Sequence, residues 1–244
     1  SLLRELQFPE DAGPMAHPTA HLHTQWPGEG KPGDPAFDQF YFSQMPSIVN
    51  FTKQQEINPP AIIALLEKIG PSILLTHSQS GAFAWPIVDQ RPDLVRANLA
   101  VEPNGPPVRE AEFKGAPDWF GESQRDKAWG LGEVPLKYEP AVTATSKLEF
   151  VKQAAPDKPD YVRCWLQKEP ARKLPNVAKV PTLVITSEAS YHAPYDHCTV
   201  AYLNQAGVKT TFIRLADVGV RGNGHMMMLE KNNMAIAGVM AGWL

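Results

Sequence analysis

Apolar and polar positions divide the chain into segments of different period. Ile62, Ile63, Leu65, Leu66 and Ile69 recur at helical spacing behind Pro59-Pro60, and Gly70 closes the pattern. A proline pair is tolerated in a first turn and glycine favours a helix end, so a helix is expected over 59–69. Ser72 to Thr76 is a short apolar run, long enough for a buried strand and too short for a helix. Residues 79–91 read as the next helix, kinked or shortened by Pro86. Buried strands are then expected at Arg96–Val101, Val180–Thr186 and Thr210–Leu215, with helices over 194–206 and 226–243. Strands alternating with helices imply a mostly parallel sheet with helices on both faces, whose chemistry sits beyond the carboxyl ends of the strands.

Two stretches lack this order. Residues 1–58 carry seven prolines with glycines between them and show no obvious strands. Trp26, Phe37, Phe40, Tyr41 and Phe42 mark them as an irregular segment that packs on a core. Residues 106–178 set Trp119, Trp129 and Trp165 among prolines and charges, with helical patches expected near 142–154 and 160–168. They read as an inserted lid, leaving 59–105 and 179–244 as the core. Trp119 and Trp129 are its candidate substrate-pocket residues, which suits an apolar or aromatic substrate.

The end of the first strand carries candidate chemistry. In Thr76-His77-Ser78-Gln79-Ser80-Gly81, small residues stand two before and two after Ser78, between a strand and a helix. That describes a nucleophile elbow, where a sharp turn leaves no room for bulk and lifts the serine oxygen clear of the sheet. A serine hydroxyl needs a base, and the base needs an acid that fixes its tautomer. Glu102 follows the next strand, and His225 follows the glycines 219, 222 and 224 that permit a close approach. Ser78, Glu102 and His225 stand in the order nucleophile, acid, base. Glu188 and Asp196 are alternative acids; Ser190 occupies the position where an aspartate is commoner. His77 precedes the nucleophile and is expected to point away from the site as a packing residue. The backbone N–H of Gln79, at the start of the helix, is one expected oxyanion donor. A second, glycine-rich donor loop is not found in this sequence.

Composition limits the alternatives. The 244 residues carry a net charge of −3, with 43% hydrophobic and 20% charged residues and a pI near 6.2, which gives no reason to expect nucleic acid or an anionic membrane as partner. No apolar run reaches the roughly 20 residues a membrane-spanning helix needs. The 24 prolines are about twice the usual share and fit many ordered connections. Cys164 and Cys198 read either as free thiols or as a disulfide tying the lid to the body. Asn50-Phe51-Thr52 is a glycosylation sequon that, with such a disulfide, fits a secreted protein. His17, His21 and His23 lie close together, but no carboxylate or cysteine completes a metal set, and no metal or organic cofactor is expected.

His-Ser-Gln-Ser-Gly (77–81), Val-Glu-Pro-Asn-Gly (101–105) and Gly-Asn-Gly-His-Met-Met-Met (222–228), followed by Asn232-Asn233, together resemble the esterase 713-like group of the α/β-hydrolase superfamily. The resemblance covers 59–105 and 179–244. It implies an α/β-hydrolase fold and a triad of Ser78, His225 and Glu102, hence a serine hydrolase of carboxylic esters acting through an acyl-enzyme. The family's first strands and second oxyanion donor are not found here, so the expectation is that either an amino-terminal part is missing from this sequence or a companion polypeptide supplies them. The same triad serves lactonases, amidases and acyltransferases, and a catalytically silent binding protein of this fold is the remaining alternative.

Overall fold

The computed structural model describes residues 17–46, 48–115 and 119–244. Its centre is a four-stranded, all-parallel sheet in the order β1-β2-β7-β8: β1 (Ser72–His77), β2 (Val95–Val101), β7 (Thr182–Thr186) and β8 (Thr210–Arg214). The remaining strands form two small antiparallel pairs, β3 (Ala111–Phe113) with β4 (Phe120–Glu122) and β5 (Phe150–Lys152) with β6 (Trp165–Gln167). Five α-helices accompany them among the described residues: α1 (Pro35–Phe42), α2 (Phe51–Ile69), α3 (Gly81–Gln90), α4 (Asp196–Gln205) and α5 (Asn233–Trp243).

Helices pack on both faces of the sheet, most completely over β2 and β7, which explains the continuous apolar runs of those strands. On one face Leu74, Ala100 and Val184 pack with Leu66 of α2, Phe83, Trp85, Ile87 and Val88 of α3, and Tyr202 and Leu203 of α4. On the other, Val101, Ile185, Leu99 and Leu183 meet Ile236, Val239, Met240 and Trp243 of α5. This second cover stops short of β1, where Ile73 and Leu75 are 49% and 55% exposed. An apolar cleft of about 250 Å³ opens there between Leu75, Val101 and the α5 residues Met234 and Ala237.

The register aligns the strand ends. His77 pairs with Val101, and Val101 with Ile185. Ser78, Glu102 and Ser187 therefore leave the sheet at its carboxyl edge.

Three expectations need correction. The helix expected at Pro59 begins eight residues earlier, because the Asn50 side chain caps it by accepting from Lys53 N–H at 2.9 Å. Pro59 and Pro60 lie inside it. Residues 17–58 are accordingly not irregular throughout: α1 and the first turns of α2 fall there, α1 being capped by Asp34. The patches at 142–154 and 160–168 are extended rather than helical. They hold β5 and β6, fixed by distant partners: Glu122 accepts from Lys152 and from the Trp165 indole, and the Arg109 guanidinium lies 4.3 Å over the Trp165 ring.

The segment 106–178 is tied to the core. Cys164 and Cys198 form a disulfide, joining this segment to α4. Tyr138 and Tyr202 hydroxyls meet at 2.9 Å in the interior. At Gly130 a Cβ would fall 2.0 Å from the Tyr202 hydroxyl, so only glycine fits this contact.

Candidate active site

β1 runs straight into Ser78, whose φ of 55° lies in the left-handed region, where a non-glycine residue is strained. The chain then turns through a short 3-10 segment, Ser78–Ser80, into α3. Ser80 clamps this turn: its hydroxyl lies 2.9 Å from His77 N and 2.7 Å from His77 O. Asn104 N–H donates to Ser78 O at 2.8 Å, docking the turn onto the loop after β2. Gly81 makes the docking possible, since a Cβ there would lie 2.5 Å from Pro103 Cβ.

Glu102 also has a left-handed φ, 43°, and is fully buried. The turn aims its carboxylate at His225. His225 Nδ1–H donates to Oε2 at 2.5 Å, and Nε2 accepts from the Ser78 hydroxyl at 2.8 Å. A continuous chain of hydrogen bonds thus runs Ser78–His225–Glu102. Ser190 donates its hydroxyl to Oε2 at 2.7 Å, and Ser187 donates both its N–H (2.9 Å) and its hydroxyl to Oε1. Burial alone would raise the Glu102 carboxyl, but the hydrogen bond and charge of His225, with Ser187 and its other neighbours, hold it at about 2. Burial pushes His225 below its ordinary value against the pull of Glu102. At neutral pH the pair is therefore a carboxylate and a neutral imidazole, with the free Nε2 lone pair facing Ser78.

The loop bearing His225 is held from beneath by Glu230. This buried carboxylate accepts from His23 Nε2 (2.7 Å), Asn223 Nδ2 (2.6 Å) and Gly224 N–H (2.9 Å). Thr24 and Gln25 donate backbone N–H groups to Gly222 O, so the segment after His17 straps the loop down. Gly222, at φ 79°, has no room for a Cβ beside Thr24.

Aromatic rings enclose His225. His77 lies 4.4 Å from it, His192 stacks parallel at 4.8 Å, and Tyr191 lies at 4.7 Å with its hydroxyl 3.2 Å from Nε2. Burial holds both His77 and His192 neutral at about 4. His77 packs, as expected, but it does not point away: its Nε2–H donates to His225 O at 2.9 Å. The β1 pleat turns it toward the loop that follows β8.

The other sequence-derived candidates separate. Glu188 accepts from Gly222 N–H and pairs with Arg221; Asp196 accepts from Thr186 and meets His192 Nδ1 at 2.9 Å. Neither reaches His225 Nδ1. Gln79 is exposed in the first turn after Ser78, where helical N–H groups lack internal acceptors. Trp119 lines a cleft of about 300 Å³ with Arg109 and Trp165, and Trp129 lines a second of about 870 Å³. Neither cleft is lined by Ser78, Glu102 or His225; from the same segment Phe113 packs 5.5 Å from Tyr191. Asn50 is exposed, and its cap uses the side-chain oxygen rather than the nitrogen a glycan would take. His17 bonds Thr19 and His23 bonds Glu230, so these two do not share a ligand.

Among the described residues, two groups of donor atoms lie close enough for a metal ion. The thiols of one, Cys164, His197 and Cys198, are consumed by the disulfide; in the other, His77, Glu102 and His225, the last two are bonded to each other. Sequence reasoning missed Ser187, Tyr191, His192 and Glu230. Only Ser190, at the position of the commoner acid, was marked by the pattern.

No protein-family model matches the chain. Over 228 residues it is 44% identical to "Probable secreted lipase phiG" of a fungal species (strain ATCC 74256), covering 93% of this chain and 60% of that protein. The chain thus spans less than two thirds of the length of this curated relative. Among solved structures, one described as the atomic-resolution structure of a novel bacterial esterase aligns with TM-score 0.42 and 22% identity, over 76% of this chain and 41% of that one. A thioesterase domain from the curacin biosynthetic pathway aligns with TM-score 0.40 and 13% identity, over 80% and 76%.

Proposed function

We propose that this chain carries the catalytic centre of a secreted serine hydrolase of carboxylic esters, of the α/β-hydrolase superfamily and its esterase 713-like group. The observation that carries the proposal is the hydrogen-bond chain from the strained Ser78 through His225 to the buried Glu102. The relative named as a probable secreted lipase and the disulfide support the ester substrate and the secreted setting.

In this reading Ser78 Oγ attacks the ester carbonyl while its proton passes to His225 Nε2. Glu102 holds Nδ1 protonated and stabilises the imidazolium without taking the proton. The carbonyl oxygen, now an oxyanion, is met by the Gln79 N–H. The alcohol leaves with the proton from Nε2, and water repeats the sequence on the acyl-enzyme. Glu102, fixed by Ser187 and Ser190, supplies orientation as well as charge.

The reading also assigns the second oxyanion donor to further polypeptide pairing along β1. Its support is the exposed Ile73 and Leu75 beside an apolar cleft, since parallel strands are normally buried on both faces.

Turnover of a short-chain nitrophenyl ester by the purified protein, lost in His225→Ala, is the expected result. Equal turnover by that variant would refute the proposed base.

A further inference from the structure

Tyr191 is the one neutral hydroxyl donor, apart from the nucleophile, placed by the described residues against the reacting atoms. Its oxygen lies 3.2 Å from His225 Nε2, the atom that also meets the Ser78 hydroxyl. Its ring is held on several sides, by His225 at 4.7 Å, His192 at 4.5 Å, Phe113 at 5.5 Å and Tyr195 at 6.3 Å. The hydroxyl thus has little freedom to swing away. Burial, with the nearby Glu102 charge, raises its pKa above the ordinary phenol value, so it keeps its proton.

Nε2 of a neutral imidazole has one lone pair, and the Ser78 hydroxyl uses it. The phenol hydrogen is therefore left for Ser78 Oγ or for an oxygen that enters beside Nε2. During ester cleavage two oxygens enter there in turn: the departing alcohol oxygen, which takes a proton from Nε2, and the attacking water, which gives one to it.

We propose that Tyr191 is a further catalytic residue, whose hydroxyl donates a hydrogen bond to the leaving-group oxygen and then positions the attacking water. This rests on the serine-hydrolase reading above. In acylation the bond from the carbonyl carbon to the alcohol oxygen breaks, and its electron pair goes to that oxygen. The oxygen takes the Nε2 proton while the Tyr191 hydrogen bond stabilises its developing negative charge. In deacylation water oxygen bonds to the acyl carbon and its proton moves to Nε2. The bond to Ser78 Oγ then breaks, and Oγ takes the proton back. Tyr191 keeps its own proton throughout, so the atoms and charges balance without a further reactant.

The test is Tyr191→Phe, which keeps the ring packing and removes only the oxygen. Its kcat/KM is measured on acetate esters whose leaving groups range from a nitrophenol to a simple alkyl alcohol. A nitrophenolate needs little help in leaving, whereas an alkoxide needs a donor. The loss for the alkyl ester should exceed that for the nitrophenyl ester by about tenfold, the scale of one hydrogen bond to a developing charge. It should appear in kcat rather than KM. An equal loss across the series would make Tyr191 a packing residue only, and no loss would remove it from the reaction; either result overturns the proposal. Fluorophosphonate labelling of Ser78, run in parallel on wild type and variant, separates the two levels. If wild type is labelled and the series is flat, only the Tyr191 proposal falls. If wild type is not labelled, the serine-hydrolase reading falls and takes this one with it.

Discussion

Replacing Glu102 by glutamine changes one atom in a fully enclosed site, and the structure dictates what must follow. The carboxylate accepts from Ser187 N–H and Ser187 Oγ at Oε1, and from Ser190 Oγ and His225 Nδ1 at Oε2. Glutamine offers one acceptor oxygen and one NH₂ group. With the NH₂ against Ser187, it would oppose a backbone donor that cannot rotate, leaving buried donors unpaired at about 1–3 kcal/mol. The amide oxygen must therefore take the Oε1 position, and the NH₂ must face Ser190 and His225. The Ser190 hydroxyl can turn to accept. His225 Nδ1 can accept only by losing its hydrogen, which moves the proton to Nε2. That tautomer cannot take the proton of Ser78. The expected loss in kcat is about 10³–10⁴-fold, or roughly 4–5.5 kcal/mol of transition-state stabilisation. The assay is nitrophenyl ester hydrolysis, with thermal unfolding measured on the same preparation to show that the variant is folded. Ser190→Ala, which removes one donor and leaves the tautomer intact, should lose only about tenfold or less. A folded Glu102→Gln protein retaining more than a tenth of wild-type kcat would refute the tautomer argument.

Three further outcomes follow from the same structure. Because burial depresses His225, the acid limb of the pH–rate profile should lie below 6.5; a limb above 6.5 would contradict the neutral-imidazole ground state. Burial also holds His17, His77, His192 and His197 at about 4, so the unfolded chain binds more protons than the folded one between about 6.5 and 4. Urea midpoints should thus fall as pH drops through that window, with Glu102 adding a loss between 4.5 and about 2, and a flat profile would count against it. Reducing Cys164–Cys198 opens a loop with a sequence separation of 34, worth roughly 3–4 kcal/mol on the chain-entropy account, so reductant should lower the urea midpoint measurably.

The sheet was legible in the sequence because its strands read as short, largely apolar runs, those of β2 and β7 being buried on both faces. Ser78, Glu102 and His225 could be picked out as candidates because each directly follows a strand or a glycine-rich loop, and folding brings them into one hydrogen-bond chain. Residues 142–168 were misread because β5 and β6 are only three residues long and take their conformation from Glu122 and Arg109, far away in sequence. Asn50 shows two signals competing at one position: it read as a sequon, and it is the cap that starts α2 before its prolines. Tyr191 could not have been found locally, since its hydroxyl gains meaning only from His225 and Ser78, which folding brings to it.

In the proposed mechanism Ser78 is a nucleophile activated by His225. Treating the protein with a fluorophosphonate and locating the adduct by peptide mass spectrometry tests it most directly. The adduct should form on Ser78, form far more slowly in His225→Ala, and be absent in Ser78→Ala. An adduct on another residue, or unchanged labelling of Ser78→Ala, would contradict it.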